Sequence, residues 1–80
     1  MIIFDDGNMS LNHNRYANRW EVRMPKADPR VGYFLVYVWD DGQAVAADSI
    51  KEAYRAQAEE MSRSLVRAVK LREASAALLA

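Results

Sequence analysis

The chain has 80 residues, eleven basic side chains balance eleven acidic ones, and cysteine is absent. At this length there is room for one domain with one small core, which buries about 60 to 65% of the unfolded chain's surface. The missing cysteines exclude disulfide staples and thiolate metal sites, and the zero net charge supplies no global field for drawing the chain onto nucleic acid or an anionic membrane. No stretch approaches the roughly 20 apolar residues that a bilayer span requires. The run Met1 to Gly7 lacks the basic flank and small-residue cleavage site of a signal peptide, so the expected location is the cytoplasm.

Along the chain, Ile2-Ile3-Phe4 suits an edge strand, and Phe4-Asp5-Asp6-Gly7-Asn8 echoes Trp39-Asp40-Asp41-Gly42-Gln43. Read structurally, the echo places a hairpin turn at Asp6-Gly7 that pairs Ile2 to Phe4 with Asn8 to Leu11. Asn12-His13-Asn14 reads as loop. From Asn18 to Met24 the residues alternate, Trp20, Val22 and Met24 on one side, Arg19, Glu21 and Arg23 on the other, which is the pattern of a half-buried strand. Pro25 and Pro29 interrupt any regular element, so Pro25 to Gly32 is expected to be a loop with a turn near Asp28-Pro29.

The stretch Gly32 to Trp39, GYFLVYVW, reads as a strand that is apolar on both faces. Successive side chains of a strand point to opposite sides, so Phe34, Val36 and Val38 share one face while Tyr33, Leu35, Tyr37 and Trp39 share the other. Asp41-Gly42 is suited to a two-residue type I′ hairpin turn. Gln43 to Ala47 then returns antiparallel, with the Tyr33 to Trp39 strand in the middle of the sheet.

A helix is expected from Ser49 to at least Arg72. Ser49-Ile50-Lys51-Glu52 has the form of a capping box, with Asp48 as the rival cap. Ile50, Tyr54, Ala58, Met61, Leu65, Ala68 and Val69 recur at steps of three and four and make one apolar stripe for the sheet. Acidic residues favour the first half and basic ones the second, as the helix dipole prefers, and Glu59 with Arg63 forms an i,i+4 pair. Two residues break the pattern. Val66 lies on the otherwise charged side, and Arg72 falls within the stripe, where it requires the helix to have passed the sheet edge or its guanidinium to reach out to water. Ala74 to Ala80, rich in alanine and leucine, prolongs the helix, frays, or packs on another copy.

No constellation points to catalysis. His13 is the only histidine and stands among asparagines; Asp5-Asp6 and Asp40-Asp41 precede glycines, where tight turns select aspartate; the three glycines are scattered and form no phosphate loop. The expectation is a non-enzymatic chain without metal or cofactor. A single helix covers one face of a sheet, so the aromatic face is left as a candidate contact surface. If neighbouring strands bring Arg19 and Arg23 beside Tyr33, Leu35, Tyr37 and Trp39, the face combines the residue types that dominate binding hot spots. Asp40 and Asp41 at the turn, or Glu59 and Glu60 on the helix, would present carboxylates to a partner's arginines. Two other fates stand beside this one: the amino-terminal segment folds over the face through Ile2, Phe4, Met9, Leu11 or Tyr16, or a second copy covers it to close a two-fold dimer, a dimer for which Leu78-Leu79 is another route.

The order strand, strand, D-G hairpin, strand, capped helix, with Trp20 in the first strand and Ala53 after the Ser49 to Glu52 box, resembles the three-stranded arm-type DNA-binding domains of phage integrases. The likeness covers roughly Asn18 to Ala58. In that family the sheet enters the major groove and its exposed side chains read DNA. Here Glu21 sits between the two arginines of the sheet, and phosphate contacts supply most of such affinity, so nucleic acid ranks below protein as the expected partner. In size, aromatic patch and sheet-and-helix architecture the chain also resembles the small phage-encoded inhibitors of bacterial machinery, anti-CRISPR proteins among them. That resemblance implies stoichiometric masking of a larger bacterial protein or nucleoprotein complex, such as a CRISPR-Cas effector, in the host cytoplasm. The fold expected from the residues is α+β, an antiparallel sheet of three or four strands packed against one long C-terminal helix.

Overall fold

The computed structural model describes residues 9–24 and 29–79, within which the chain forms a four-stranded antiparallel sheet backed by one helix, an α+β fold. The strands are β1 (Ser10–Asn14), β2 (Arg19–Arg23), β3 (Leu35–Trp39) and β4 (Ala44–Ala46), in the spatial order β1-β2-β3-β4, followed by α1 (Glu52–Leu79). The proposed pairing of Ile2 to Phe4 lies outside the described residues. Asn12 to Asn14, expected as loop, belongs to β1, because Ser10 to Asn14 pairs residue for residue with Arg23 to Arg19.

Two tight connections set the registers. Between β1 and β2, the Asn14 side chain accepts hydrogen bonds from the Tyr16 and Ala17 amides at 3.1 and 3.2 Å, and Asn18 closes the turn at φ 54°, a left-handed conformation that asparagine tolerates. Between β3 and β4 the loop has three residues rather than the expected two. Trp39 N donates to Gln43 O, Gly42 N donates to Trp39 O, and only Gly42, at φ 94°, has a positive φ in this loop. This is a turn followed by a glycine bulge, the usual three-residue solution. The Asp41 carboxylate accepts the Gln43 amide at 2.9 Å, so the aspartate before glycine serves the turn as its sequence position suggests.

The apolar sides of β2 and β3 face α1. Trp20, Val22, Phe34, Val36, Val38, Ala44 and Ala46 are buried there together with Val31, Ile50, Ala58 and Val66. α1 lies over β4 and β3. Its contact face is rotated from the expected stripe: Val66 is part of the core at 3% exposure and Ser62 is fully buried, whereas Ala68 is exposed. Val66, whose place on the charged side of the helix suggests from sequence an extra contact, is thus a core residue, and the small residues Ala58 and Ser62 let the helix approach the alanines of β4.

The helix also begins later than expected. Ser49 does not form the capping box; its hydroxyl donates to Tyr33 O at 2.7 Å. Lys51 N donates to Val31 O, and Ile50 bridges Gly32, so Ile50 and Lys51 are held against the preceding loop before α1 starts at Glu52. Arg55 turns back and donates to the carbonyls of Ile50 and Asp48. The bridge at Gly32, whose φ is 97°, also explains why β3 starts at Leu35 and not at Tyr33. The Glu59 carboxylate, expected to pair with Arg63, instead accepts the Ala46 amide at 2.9 Å, and Arg63 pairs with Glu60 at 2.7 Å. Glu59 thus satisfies an outward amide of the edge strand. Twenty-eight residues of helix measure about 42 Å, matching the 43 Å long axis of the protein. Leu71 and Arg72 are exposed because the helix has by then run past the sheet.

Two substitutions test this packing. An added Cβ at Gly32 would stand 2.0 Å from Ser49 O, so Gly32→Ala combines a backbone clash with a positive φ. It is expected to destabilise the fold by about 3 kcal/mol, read by urea denaturation. The Ser62 hydroxyl is buried without a hydrogen-bond partner among the described residues. Ser62→Ala is expected to raise stability by about 1 kcal/mol, since it removes an unsatisfied polar atom and improves helix propensity.

Candidate functional site

The face of the sheet turned away from α1 carries a different set of side chains. Register places Arg19 opposite Trp39, Glu21 opposite Tyr37 and Arg23 opposite Leu35, with Val45 opposite Tyr37 on the far side. Asn14, Asn12 and Ser10 of β1 complete the face beside the same β2 residues. Five of the expected contact residues, Arg19, Arg23, Leu35, Tyr37 and Trp39, therefore share one surface.

At its centre the Arg19 guanidinium lies 4.2 Å from the Tyr37 ring centroid and 5.7 Å from that of Trp39, and the two rings are 6.1 Å apart. Such cation–π contacts are worth about 0.5 to 1 kcal/mol at exposed sites and more where water is excluded. Glu21 reaches both arginines, Arg19 at 3.8 Å and Arg23 at 3.1 Å. The Arg19 Nε is buried with no hydrogen-bond acceptor among the described residues, so its charge is held by ring faces and the Glu21 carboxylate. Leu35, Tyr37 and Trp39 are half-buried, sheltered by one another and by the β2 side chains.

The other expected residues sit at the margins. Tyr33 is 44% exposed but precedes β3 in a bend, off the strand ladder. Asp41 is committed to its turn. Asp40 bonds His13 at 3.2 Å, and His13, stacked on Trp20 at 4.8 Å, is a strand residue on the helix side and not the loop histidine expected. The described early residues do not cover the aromatic face: Leu11 lies opposite Val22 and, like Met9, packs against the core, while Tyr16 stands fully exposed at the β1–β2 tip. Ile2 and Phe4 lie outside the described residues.

Tyr16, read from the sequence as a possible cover of the aromatic face, is instead an exposed ring at the hairpin tip. The asparagines at 14 and 18 that bracket Arg15-Tyr16-Ala17 are turn formers, and their spacing was the available signal. Both hairpin tips lie at the same end of the sheet, joined by the bond from Asp40 N to Asn18 O. Tyr16 and the Asp40-Asp41 turn are therefore at the Trp39 end of the aromatic cluster.

Among the described residues no three histidine or acidic side chains are grouped to hold a metal ion, and no helix is long and apolar enough to cross a membrane. No protein-family model matches the chain, and no curated protein or solved structure matches it.

The Arg19 contacts yield a direct test. Arg19→Ala is expected to cost about 1 kcal/mol of stability and to shift tryptophan fluorescence while the far-ultraviolet circular dichroism stays native. Unchanged fluorescence would mean that the guanidinium does not rest on the Trp39 ring.

Proposed function

We propose that this chain is a small non-enzymatic protein-binding module that seats the open face of its sheet on a larger bacterial protein or nucleoprotein complex and masks a working surface there. The reading extends the likeness in type to phage-encoded inhibitors. The observation that carries it is the cluster of Arg19, Tyr37 and Trp39 on a sheet face that the helix leaves uncovered. Tyrosine and tryptophan lose little conformational freedom when a partner closes over them and present much apolar area, and the Arg19 guanidinium is already ordered by its contacts with the two rings.

The electrostatics of this face favour protein over phosphate. Glu21 bonds Arg23 and lies near Arg19, so two cations share one anion and the face keeps only a small positive excess. A surface that holds nucleic acid by its backbone draws on several unpaired cations. This one offers ring faces, an arginine fork already oriented by stacking, and a polar margin of asparagines. Asp40 and Asp41 at the rim are placed to steer a basic partner surface, a contribution to association rate more than to affinity.

The test pairs Tyr37→Ala with Trp39→Ala in one variant, used as bait in a bacterial lysate beside the native protein. The native chain is expected to retain a partner through a high-salt wash, and the variant to lose it by at least about thirtyfold while its circular dichroism stays native. Equal retention by the variant, or loss of its folded signal, would overturn the assignment of these rings to a contact surface. Mass measurement of the purified protein reads the competing case, in which a second copy covers the face.

A further inference from the structure

The two edges of the sheet are unlike. Asp40 N donates to Asn18 O and Met24 N donates to Phe34 O, so along β2 the even-numbered residues turn their backbone groups toward β3, while Arg19, Glu21 and Arg23 turn theirs toward β1. Those three occupy Asn14, Asn12 and Ser10, which leaves the N–H and C=O groups of Leu11 and His13 pointing outward from the sheet. They have no partner among the described residues. The same alternation carried across to β4 turns Ala46 outward, and there its amide meets the Glu59 carboxylate at 2.9 Å. One edge is guarded by an acid, and the other is open.

β1 lacks the usual guards of an edge, since Ser10–Asn14 contains no lysine, acid or proline. The His13 ring is drawn to Asp40 at 3.2 Å and stacks on Trp20 at 4.8 Å, so it lies against its own sheet and not over the edge. Asn14 serves its turn, but Asn12 is exposed and its side chain bonds no described residue. A cleft of about 460 Å³, lined by Asn12, His13, Asn14, Arg15 and Tyr16, keeps the space beside the strand clear.

We propose that β1 pairs antiparallel with β1 of a second copy about a two-fold axis at Asn12, joining the two sheets into one. Leu11 of each copy then faces His13 of the other and exchanges both N–H···O bonds with it, while the two Asn12 side chains meet at the axis, in the closer kind of pair. The open backbone groups lie symmetrically about Asn12, so the strand is its own complement in this register. An amide both donates and accepts, so the unspent Asn12 side chain is satisfied by its own likeness, and an uncharged strand meets its copy without repulsion. The acid at β4 then stops association at the pair: with one open edge per copy, the two-fold closes a dimer and builds no fibre. The axis stands perpendicular to the sheet, so both helices stay on one side and both Arg19, Tyr37 and Trp39 clusters stay open on the other. The inference does not depend on what binds that face.

Sedimentation of the full chain at rising concentration reads the dimer. A short edge buries little area, so the native chain is expected to be monomeric at about 1 μM and mostly dimeric by about 300 μM. Asn12→Lys sets like charges at the axis and is expected to weaken the dimer at least about tenfold with native circular dichroism, as is Asn12→Glu. Mixing these two variants is expected to restore a dimer, which a general loss of fold would not do. In the native chain the Leu11 and His13 amides are expected to exchange at least about threefold more slowly at the higher concentration, a readout that needs no variant. The Tyr37→Ala, Trp39→Ala variant is expected to dimerise like the native chain. A native chain that stays monomeric at about 300 μM would overturn the proposal and leave the edge to some other strand. So would a dimer that Asn12→Lys leaves intact, or a mixture of the two charged variants that stays monomeric. Loss of the dimer in the aromatic variant alone would place the second copy on the ring face instead.

Discussion

The close approach of α1 to β4 is the contact on which the rest of the molecule depends. Ala44 and Ala46 on the strand and Ala58 and Ser62 on the helix are among the smallest side chains available, and all four are buried. Small groups on both sides bring the backbones together, and Val66 and Val38 complete the seat without a large residue that would wedge the layers apart. The position of the helix over β4 and β3 also lets Glu59 reach the edge of the sheet. A domain of this size has one such interface, so committing the helix to one side leaves the other without a second layer among the described residues.

That asymmetry divides the chemistry. The covered side is aliphatic and closes around Val22, Val36 and Val38. The uncovered side mixes rings with guanidinium groups, a composition that tolerates water in isolation and still gains from its removal when a partner arrives. Arg19 is the link between the two conditions. Its stacking on Tyr37 and Trp39 keeps the rings half-sheltered and oriented, so the proposed contact would require little reorganisation.

Much of the architecture was legible because the local signals agreed with one another. The alternation from Arg19 to Met24 and the doubly apolar run to Trp39 both mark strands, and the register brings Arg19 beside Tyr37 and Trp39 as their shared parity implies. Where signals competed, long-range pairing decided. Asn12-His13-Asn14 has the composition of a loop, yet each residue finds a partner on β2, and strand pairing outweighs propensity. Ser49 has a cap's position, but the backbone after it is claimed by Val31 and Gly32, which sequence spacing does not reveal. The rotation of the helix face has the same origin. Hydropathy favoured Ala68 over Ser62, whereas packing against an alanine strand rewards small size more than low polarity. Tyr16, expected as a possible cover of the aromatic face, stands exposed because Asn14 and Asn18 close a tight turn around it, and the exposure of a loop aromatic leaves no periodic trace.

The bond between Glu59 and the Ala46 amide has a consequence for how copies of the protein meet. A bare rim lets a foreign strand zip on, and a chain with such a rim is prone to ribbons and fibres at high concentration. Here β4 is only three residues long and one of its outward donors is already occupied by a carboxylate of the same molecule, which also sets a negative charge where an incoming backbone would lie. Sheet growth is therefore discouraged on that flank, which leaves the proposed contact to the side chains of the open face.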